Sequence, residues 1–330
     1  MSDSYQKIRA SLPPDMKCAL ETFQRETAEI VDSIPKELKH DPPSDIYHYT
    51  TDMGLYGILE SGRLWLTDVF ALNDPSELHH GLALAADALE CVTKEESDVY
   101  REFASVFKER VGRKFQGVAQ FFVCSFSECG DDLGQWRGYA ADGRGYVLGF
   151  DAELLKKSFL KSRMRNTFPV TYHDDKLKEI FNRIVEKALP LIPYQRWNSL
   201  SDINIQECEN LLKECKQLMN VILAMRVLQA SLQFKHMAYS NEKEYRFLHF
   251  DISTHIRCPE ADVRPRGYEL IRYRKFDWKS VAPQALKSIV IGPAADFEKS
   301  KRFAEDCLRE SGIDIASVEI SQSQIPYKPA

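Results

Sequence analysis

The chain has 330 residues, 44% of them hydrophobic and 28% charged, a mixture typical of a soluble globular protein. Its 44 basic and 49 acidic residues give a formal net charge of −5, which excludes a protein that holds nucleic acid mainly by bulk positive charge. No stretch approaches the roughly 20 apolar residues that cross a bilayer, and residues 1–12 lack the apolar core of a secretory signal. We therefore expect a cytoplasmic location and no membrane partner.

The first 45 residues predict a helical N-terminal arm. Apolar residues recur at helical spacing over 16–32, and Pro42 and Pro43 then disfavour further helix. Residues 46–330 are predicted to form a single α+β domain of catalytic type.

The predicted elements of this domain begin with a strand at 46–49. A helix follows, with Thr51 or Asp52 as its N-cap and Gly62 in a left-handed position at its end. The next stretches are mostly helical, with a long helical insertion at about 174–237. Further elements are a helix at 296–311 and strands at 64–66, 118–126, 146–150, 244–250, 268–276, 288–292 and 316–320. Because strands come early and late with helices between them, this order favours an α+β class over regular βαβ winding.

The eight cysteines carry no C-x-x-C pair, which is the spacing of structural zinc sites and thioredoxin-type redox sites. Cys208 and Cys215 share a predicted helix face, which suits two small packing residues at least as well as a ligand pair. The glycine-rich motifs of Rossmann and P-loop proteins are also missing. We therefore expect packing cysteines and no resident metal.

Four stretches combine residue types that carry chemistry. In the first, Tyr47-His48-Tyr49-Thr50, the His48 side chain points to the opposite strand face from both tyrosines and offers two ring nitrogens to a ligand hydroxyl. A buried structural histidine is the simpler interpretation of a single His. The second stretch contains Asn73, Asp74 and Glu77, and a helix start with Asp74 as N-cap and Glu77 closing a capping box explains much of it.

The third stretch runs from Ser125, on a predicted strand, to Gln135-Trp136-Arg137. Arg137 could bind a phosphate or carboxylate, and Trp136 could stack on a planar ring. An equally simple interpretation puts Trp136 in the core and pairs Arg137 with an aspartate of the preceding turn.

In the fourth stretch, Glu242, Glu244 and Arg246 alternate along a predicted strand and therefore share one face. If this face lies at a solvent-exposed edge of the sheet, the three charged residues are ordinary surface residues without a function. In a cleft, like charge would raise the pKa of one carboxyl, while Arg246 would hold the other carboxylate ionised. Such a pair suits the stabilisation of a cationic transition state or the positioning of a ribose hydroxyl.

Taken together, the four stretches resemble a bacterial family catalogued as domain of unknown function 2971. Residues 57–62 and 291–293 add to the resemblance, which spans about residues 46–327. It implies a family and no activity.

More distantly, the order of these stretches resembles that of ADP-ribosyltransferases of the DNA-modifying toxin type. A histidine strand, a helix ending in glycine, a hydroxyl-bearing strand and a late strand with glutamate follow one another in both. This resemblance implies a split mixed β-sheet core, here with the helical N-terminal arm and the long helical insertion added. It also implies NAD as the substrate and no metal.

The resemblance assigns a role to each candidate residue. Glu244 would be the catalytic carboxylate, and Glu242 would orient the target. His48 would bind the cofactor ribose. Further cofactor-binding candidates are Tyr49, Thr50, Ser125, Trp136, Arg137 and Arg246, and Asn73, Asp74 and Glu77 are other candidates near the site.

The implied activity is that of an ADP-ribosyltransferase or NAD glycohydrolase of a toxin, effector or defence system. Such an enzyme cleaves the nicotinamide–ribose bond through an oxocarbenium-like state, which a fixed carboxylate stabilises. Arginine, other protein side chains, nucleic acid and water all stay open as the acceptor, nucleic acid through a locally basic stretch at 257–279.

Two other classes of function also stay open. One is a metal-dependent hydrolase, such as a nuclease, with ligands from His48, Asp74, Glu242 and Glu244. The other is a non-catalytic module that binds a nucleotide or a protein in the same cleft.

Overall fold

The computed structural model describes residues 10–37, 43–72, 119–162, 166–188, 205–252 and 261–328, together with 82–85, 105–109 and the single residues 87, 101, 113 and 164. The helices of this part are α1 (Pro14–Glu37), α2 (Asp52–Ser61), α3 (Leu133–Tyr139), α4 (Ala152–Lys161), α5 (Asp174–Ala188), α6 (Ile205–Ser231) and α7 (Phe297–Glu310). The strands are β1 (Asp45–Thr50), β2 (Arg63–Asp68), β3 (Ala119–Ser127), β4 (Tyr146–Asp151), β5 (Asn166–Pro169), β6 (Glu244–Ile252), β7 (Asp262–Arg266), β8 (Glu269–Asp277), β9 (Leu286–Ile291) and β10 (Glu319–Gln322).

The strands form one mixed sheet that divides at β3. The main path through the sheet is β10-β9-β4-β1-β3-β2-β8-β7. Among the described strands, β9 and β10 form the only parallel pair. β6 pairs with β3 along one whole edge and carries β5 on its far side. On the other edge of β3, β1 pairs only at Ser127 and β2 only at Phe122 and Val123. The two halves of the sheet therefore separate at the level of Ser125.

Helices pack on both faces of the sheet. On one face, α1, α5 and α6 pack against one another and against β3 and β6 around Val123 and Leu248. On the opposite face, α2, α4 and α7 enclose a second apolar cluster that contains Phe126 and Phe247. A smaller cluster under α3, built around Trp136, covers β1 and β4 on the first face. The open part of the first face lies between α3 and the layer of α1, α5 and α6.

The predicted α+β class is confirmed, and so are most of its elements. Thr51 is the N-cap of α2, where its hydroxyl accepts a hydrogen bond from the Gly54 amide at 3.1 Å, and Gly62 ends that helix with φ of 65°. The predicted arm and insertion supply α1, α5 and α6, which lie together in one layer. None of the described helices is long and apolar enough to cross a membrane.

Three strands differ from the sequence prediction. β5 and β7 were not expected, and both are short strands at the edge of the sheet that contain a proline, Pro169 and Pro265. Proline cannot donate to the ladder and is tolerated at an edge, so such strands give a weak sequence signal. The predicted last strand at 316–320 overlaps a 3₁₀ turn, Ile315–Ser317, and β10 begins only at Glu319.

Candidate functional site

A cleft of about 240 Å³ opens where the sheet divides. β1 and α3 line one side, β2 and β7 line the other, and β3 and β6 lie at the base together with the turn that follows α6. The cleft therefore gathers residues from both halves of the chain. Six of the candidates that the sequence singled out line it: His48, Tyr49, Ser125, Glu242, Glu244 and Arg246.

Where the sheet divides, the His48 side chain contacts a backbone carbonyl of β3 that pairs with neither β1 nor β2. Ser125 lies between the residues of β3 that pair with β1 and those that pair with β2, so neither strand satisfies its carbonyl. The His48 Nδ1 atom lies 3.2 Å from that carbonyl oxygen. Because a carbonyl only accepts, Nδ1 carries the proton.

This hydrogen bond fixes the chemistry of the other ring nitrogen. Burial lowers the pKa of His48, and the bond to the Ser125 carbonyl opposes that shift. The imidazole is therefore neutral near pH 7, and its Nε2 atom is an acceptor. An acceptor at this position suits a ligand hydroxyl, as a ribose would present.

The two candidate carboxylates meet at a turn and do not alternate along one strand, so the predicted common strand face is wrong in detail. Glu242 ends a 3₁₀ turn, Met237–Glu242, and β6 begins at Glu244. Between them Lys243 has φ of 42°, in the left-handed region that non-glycine residues rarely adopt. Ser127 fixes this turn, because its hydroxyl donates to the Glu242 carbonyl at 2.8 Å. The turn brings both side chains to the same cation.

That cation is Lys235, which the sequence interpretation did not include. Its side chain is only 2% exposed, and Nζ lies 2.5 Å from Glu242 Oε2 and 3.4 Å from Glu244 Oε2. On the far side of Glu244, Arg246 donates through Nε and Nη2 to the two carboxylate oxygens at 2.6 and 2.8 Å. Acidic and basic groups thus alternate along the base of the cleft, in the order Glu242, Lys235, Glu244, Arg246.

The environment keeps the Glu244 carboxylate ionised. Burial by itself would raise its pKa, but the charges of Arg246 and Lys235, with hydrogen bonds from Arg246 and Ser125, outweigh burial and lower the pKa to about 2. The Glu244 amide also donates to the Tyr172 hydroxyl at 3.0 Å. Glu244 is therefore a fixed, charged group at the base of the cleft.

Glu242 is the outer of the two carboxylates. Its side chain is 20% exposed, against 6% for Glu244. Besides the contact with Lys235, its Oε1 atom accepts from the Tyr139 hydroxyl at 3.4 Å. The carboxylate of the pair that a ligand meets first is therefore Glu242.

The remaining sequence candidates divide between the cleft and the core. Tyr49 lines the cleft, but its hydroxyl is used within the protein, where it donates to the Cys129 carbonyl at 2.9 Å. Thr50 is buried beside Gly54 and does not line the cleft. Arg246 lies at the base of the cleft, where it binds Glu244. Arg137 is exposed on α3 and does not line the cleft.

Trp136 is a core residue, so its assignment to a stacking role is corrected. Its side chain is fully buried, and its Nε1 atom donates to Asp131 Oδ1 at 2.7 Å. The ring packs edge-on against Tyr49, with the centroids 5.2 Å apart. The helix face that carries Gln135 and Tyr139 to the cleft is anchored by this indole.

The side of the cleft formed by β2 and β7 holds groups that sequence reasoning left unassigned. Arg264 and Arg266 line it, together with Trp65 and Thr67. Both arginines belong to the basic stretch 257–279. Because the sequence does not predict β7, it does not predict that their side chains lie on the same face of a strand. In the same stretch, Lys275 pairs with Asp262 at 3.1 Å.

Asn73, Asp74 and Glu77 lie outside the described residues. Within the described part of the chain, no three His, Cys, Asp or Glu side chains come together as a set that could hold a metal ion. The carboxylates of Glu242 and Glu244, two of the ligands considered for a metal, are bound by Lys235 and Arg246.

The model of one protein family, described as Protein of unknown function (DUF2971), matches residues 135–247. This range runs from Gln135 at the start of α3 to β6, and includes both carboxylates and Lys235. The match supports the family resemblance that the motifs indicated. No curated protein and no solved structure matches the chain.

Proposed function

We propose that the protein cleaves the nicotinamide–ribose bond of NAD, as an ADP-ribosyltransferase or as an NAD glycohydrolase. One observation carries the proposal: two carboxylates, of which Glu244 is held ionised, lie at the base of a cleft in a divided sheet, beside a histidine acceptor and an exposed serine hydroxyl. The sequence order of these groups resembles that of ADP-ribosyltransferases, and the divided sheet is compatible with the split core of that superfamily.

The reaction needs negative charge close to the ribose. When the bond from C1′ to the nicotinamide nitrogen breaks, its electron pair leaves with nicotinamide, and positive charge develops on C1′ and the ring oxygen. A carboxylate that is already fixed and ionised stabilises this charge without reorganisation. The acceptor then attacks C1′ and releases its proton, and water as the acceptor gives ADP-ribose.

The geometry distributes these roles between the two glutamates. Both oxygens of Glu244 accept from Arg246, and Lys235 adds a second cation to it. Glu242 is more exposed and contacts Lys235 and Tyr139. We propose that Glu244 supplies the fixed charge and hydrogen-bonding frame near the ribose, while Glu242 meets the acceptor.

His48 and Ser125 would bind the ribose. The neutral His48 presents Nε2 as an acceptor for one hydroxyl. Ser125 is exposed where the sheet divides, and because its hydroxyl donates its proton to Glu244, its oxygen is left as an acceptor for a second hydroxyl. Two such groups on adjacent strands would fix the rotation of the sugar relative to Glu244.

Nicotinamide release from NAD tests the proposal. The purified full chain is incubated with NAD, alone and with a cell extract as a source of acceptors, in parallel with Glu244→Gln, Glu242→Gln and Glu310→Gln. Glu310 is an exposed carboxylate on α7 and serves as the matched control. We expect release by wild type and the control, and a loss of at least 100-fold in Glu244→Gln, since a removed electrostatic stabiliser of the transition state costs that much.

The Glu242→Gln variant separates the two activities. If Glu242 meets the acceptor, this variant loses transfer of labelled ADP-ribose to extract components and retains release of nicotinamide to water. Wild-type levels of release by a folded Glu244→Gln variant would contradict the proposal. So would saturable NAD binding without any product, which would indicate a binding module.

A further inference from the structure

We propose that Arg264 is a phosphate-binding residue of the cleft and that the ligand bound there is a nucleoside diphosphate, such as the ADP-ribose part of a dinucleotide. This inference deepens the proposed function, because it names the anionic part of the substrate and the wall that receives it. It rests on that function only for the assignment of the phosphate to NAD.

The Arg264 side chain is held in place on the wall of the cleft. Side chains alternate between the two faces of a strand, so residues 262, 264 and 266 of β7 share one face and residues 263 and 265 lie on the other. The guanidinium lies over the Trp65 ring, 5.3 Å from its centroid, and Nη2 donates to the Thr67 hydroxyl at 3.4 Å. A guanidinium whose plane is fixed loses little further freedom when it binds an anion.

No carboxylate among the described residues neutralises Arg264. The nearest acidic residue on its own strand face, Asp262, pairs with Lys275 at 3.1 Å. The Nε atom of Arg264 is shielded from solvent and has no acceptor in the described part of the chain. Burial, followed by the charge of nearby Arg266, lowers the pKa of Arg264. An anion at this wall would relieve both effects.

The opposite end of the cleft has a different charge balance. There the charges of Glu242 and Glu244 are matched by those of Lys235 and Arg246. On the β7 wall, by contrast, the charge of Arg264 is not matched by a carboxylate of the described residues. A complementary ligand places its anionic part at Arg264. At the carboxylates it places an uncharged part, such as a ribose, on which positive charge develops during the reaction. A nucleoside diphosphate joined to a ribose has this distribution, and arginine is the residue best suited to bind its phosphates.

Isothermal titration of the full chain tests the inference, with ADP-ribose, ADP and adenosine as ligands. We expect ADP-ribose and ADP to bind at least tenfold more tightly than adenosine, with an affinity that falls as salt is added. The Arg264→Gln variant should lose about 10- to 100-fold in Kd for ADP-ribose and ADP, because each 1.4 kcal/mol of lost binding is tenfold. Arg264→Lys, which keeps the charge and loses the planar donor set, should lie between wild type and Arg264→Gln.

The matched control is Arg272→Gln on the neighbouring strand. Arg272 precedes Tyr273, which shares a face with the cleft residue Thr67, so Arg272 points to the other face of the sheet. Its variant should bind ADP-ribose as wild type does. Equal urea unfolding midpoints for the three variants and wild type would show that the change in Kd is local.

Three results would overturn the inference: unchanged ADP-ribose affinity in Arg264→Gln, equal affinities for ADP and adenosine, or no ADP-ribose binding together with Arg264-dependent binding of a single-stranded oligonucleotide. The last would assign the arginine to a polynucleotide backbone. Arg264-dependent ADP-ribose binding without nicotinamide release by wild type would leave this site standing and remove the NAD-cleaving function. If Arg264→Gln releases nicotinamide as fast as wild type at limiting NAD, the NAD-cleaving function stands and the phosphate site at Arg264 is removed.

Discussion

Lys235 Nζ lies 3.4 Å from Oε2 of Glu244, and this contact joins the turn after α6 to the first residue of β6. The same ammonium is 2.5 Å from Glu242 Oε2 and lies 4.6 Å from the centroid of the Tyr239 ring. A buried lysine between two carboxylates holds together two side chains that would otherwise repel each other. The insertion therefore supplies a group on which the geometry of the cleft depends.

Replacing Lys235 by Met should destabilise the protein strongly. The substitution keeps the length of the side chain but leaves two partly or fully buried carboxylates without their shared cation, and breaking a buried ion pair in this way costs about 3–5 kcal/mol. The free energy of unfolding in urea measures the effect. Lys213→Met, at an exposed position of α6, should change it by less than about 0.5 kcal/mol. Equal stability of the two variants would mean that the Lys235 contacts are not formed in solution.

The low pKa of Glu244 predicts a specific loss of stability in acid. Its pKa is about 2 in the folded protein and 4.5 without the fold, so the folded state binds this proton less readily. The contribution is therefore complete above about pH 4.5 and is lost as the pH falls towards 2, with a size on the order of 3 kcal/mol. The Glu244→Gln variant lacks this contribution at every pH, because glutamine does not ionise. We expect the stability difference between wild type and Glu244→Gln to shrink from pH 6 to pH 3, and a constant difference would contradict the assignment.

Much of the fold could be predicted from the sequence because local signals were strong. The Thr51 cap and the left-handed Gly62 bound α2, and short runs rich in aromatic and other apolar residues mark β3 and β6. The sequence resemblance also groups Glu242, Glu244 and Arg246 with His48 as candidate site residues, and all four line one cleft. These predictions needed only neighbours in sequence and one resemblance.

The rest depended on contacts between distant segments. Lys235 looks like an ordinary charged residue after a helix, and only the left-handed turn at Lys243 brings the two glutamates to it. Arg264 could not be placed because β7, an edge strand with a proline, carries little signal of its own. The sequence alone does not distinguish a core position for Trp136 from a role in stacking on a ligand. Its burial and its hydrogen bond to Asp131 assign it to the core.

Two substitutions at His48 should separate its hydrogen bond to Ser125 from its interaction with a ligand. His48→Asn retains an N–H group for the Ser125 carbonyl and lacks Nε2, whereas His48→Ala lacks both. Both variants should bind NAD about tenfold more weakly, as expected for one lost hydrogen bond. Only His48→Ala should lose about 1 kcal/mol of stability. Calorimetry and urea unfolding measure the two effects, and unchanged NAD binding by His48→Asn would remove the histidine from the ligand site.

The pH dependence of NAD binding offers a second test of His48. Because burial lowers its pKa below 6.5, the imidazole keeps Nε2 as an acceptor down to pH 6.5 and loses it only in more acid solution. The dissociation constant for NAD should be constant between pH 8 and 6.5 and should rise below that range. His48→Asn should lack the acid rise, and its persistence in that variant would assign the titration to another group.

Phe in place of each of two tryptophans should produce opposite effects. Trp136→Phe removes a buried hydrogen bond to Asp131 and should cost about 2 kcal/mol of stability, with NAD affinity unchanged in the folded fraction. Trp65 is 44% exposed and supports Arg264, so Trp65→Phe should leave stability nearly unchanged and weaken ADP-ribose binding a few-fold. Weaker ligand binding by Trp136→Phe at full stability would restore the stacking role for that indole.

Alanine at two glycines of α2 should change stability in opposite directions. Gly57 is exposed in the helix interior, and nothing lies within 4 Å of the position that a Cβ would take. Gly57→Ala should therefore stabilise the protein by about 0.5–1 kcal/mol through helix propensity. Gly62 has φ of 65°, and a Cβ there would lie 2.8 Å from Lys279 Cβ, so Gly62→Ala should cost about 1–2 kcal/mol. Urea unfolding of the two variants measures both signs. A stabilising Gly62→Ala would mean that α2 does not end in the left-handed turn that directs the chain from β1, through the helix, into β2.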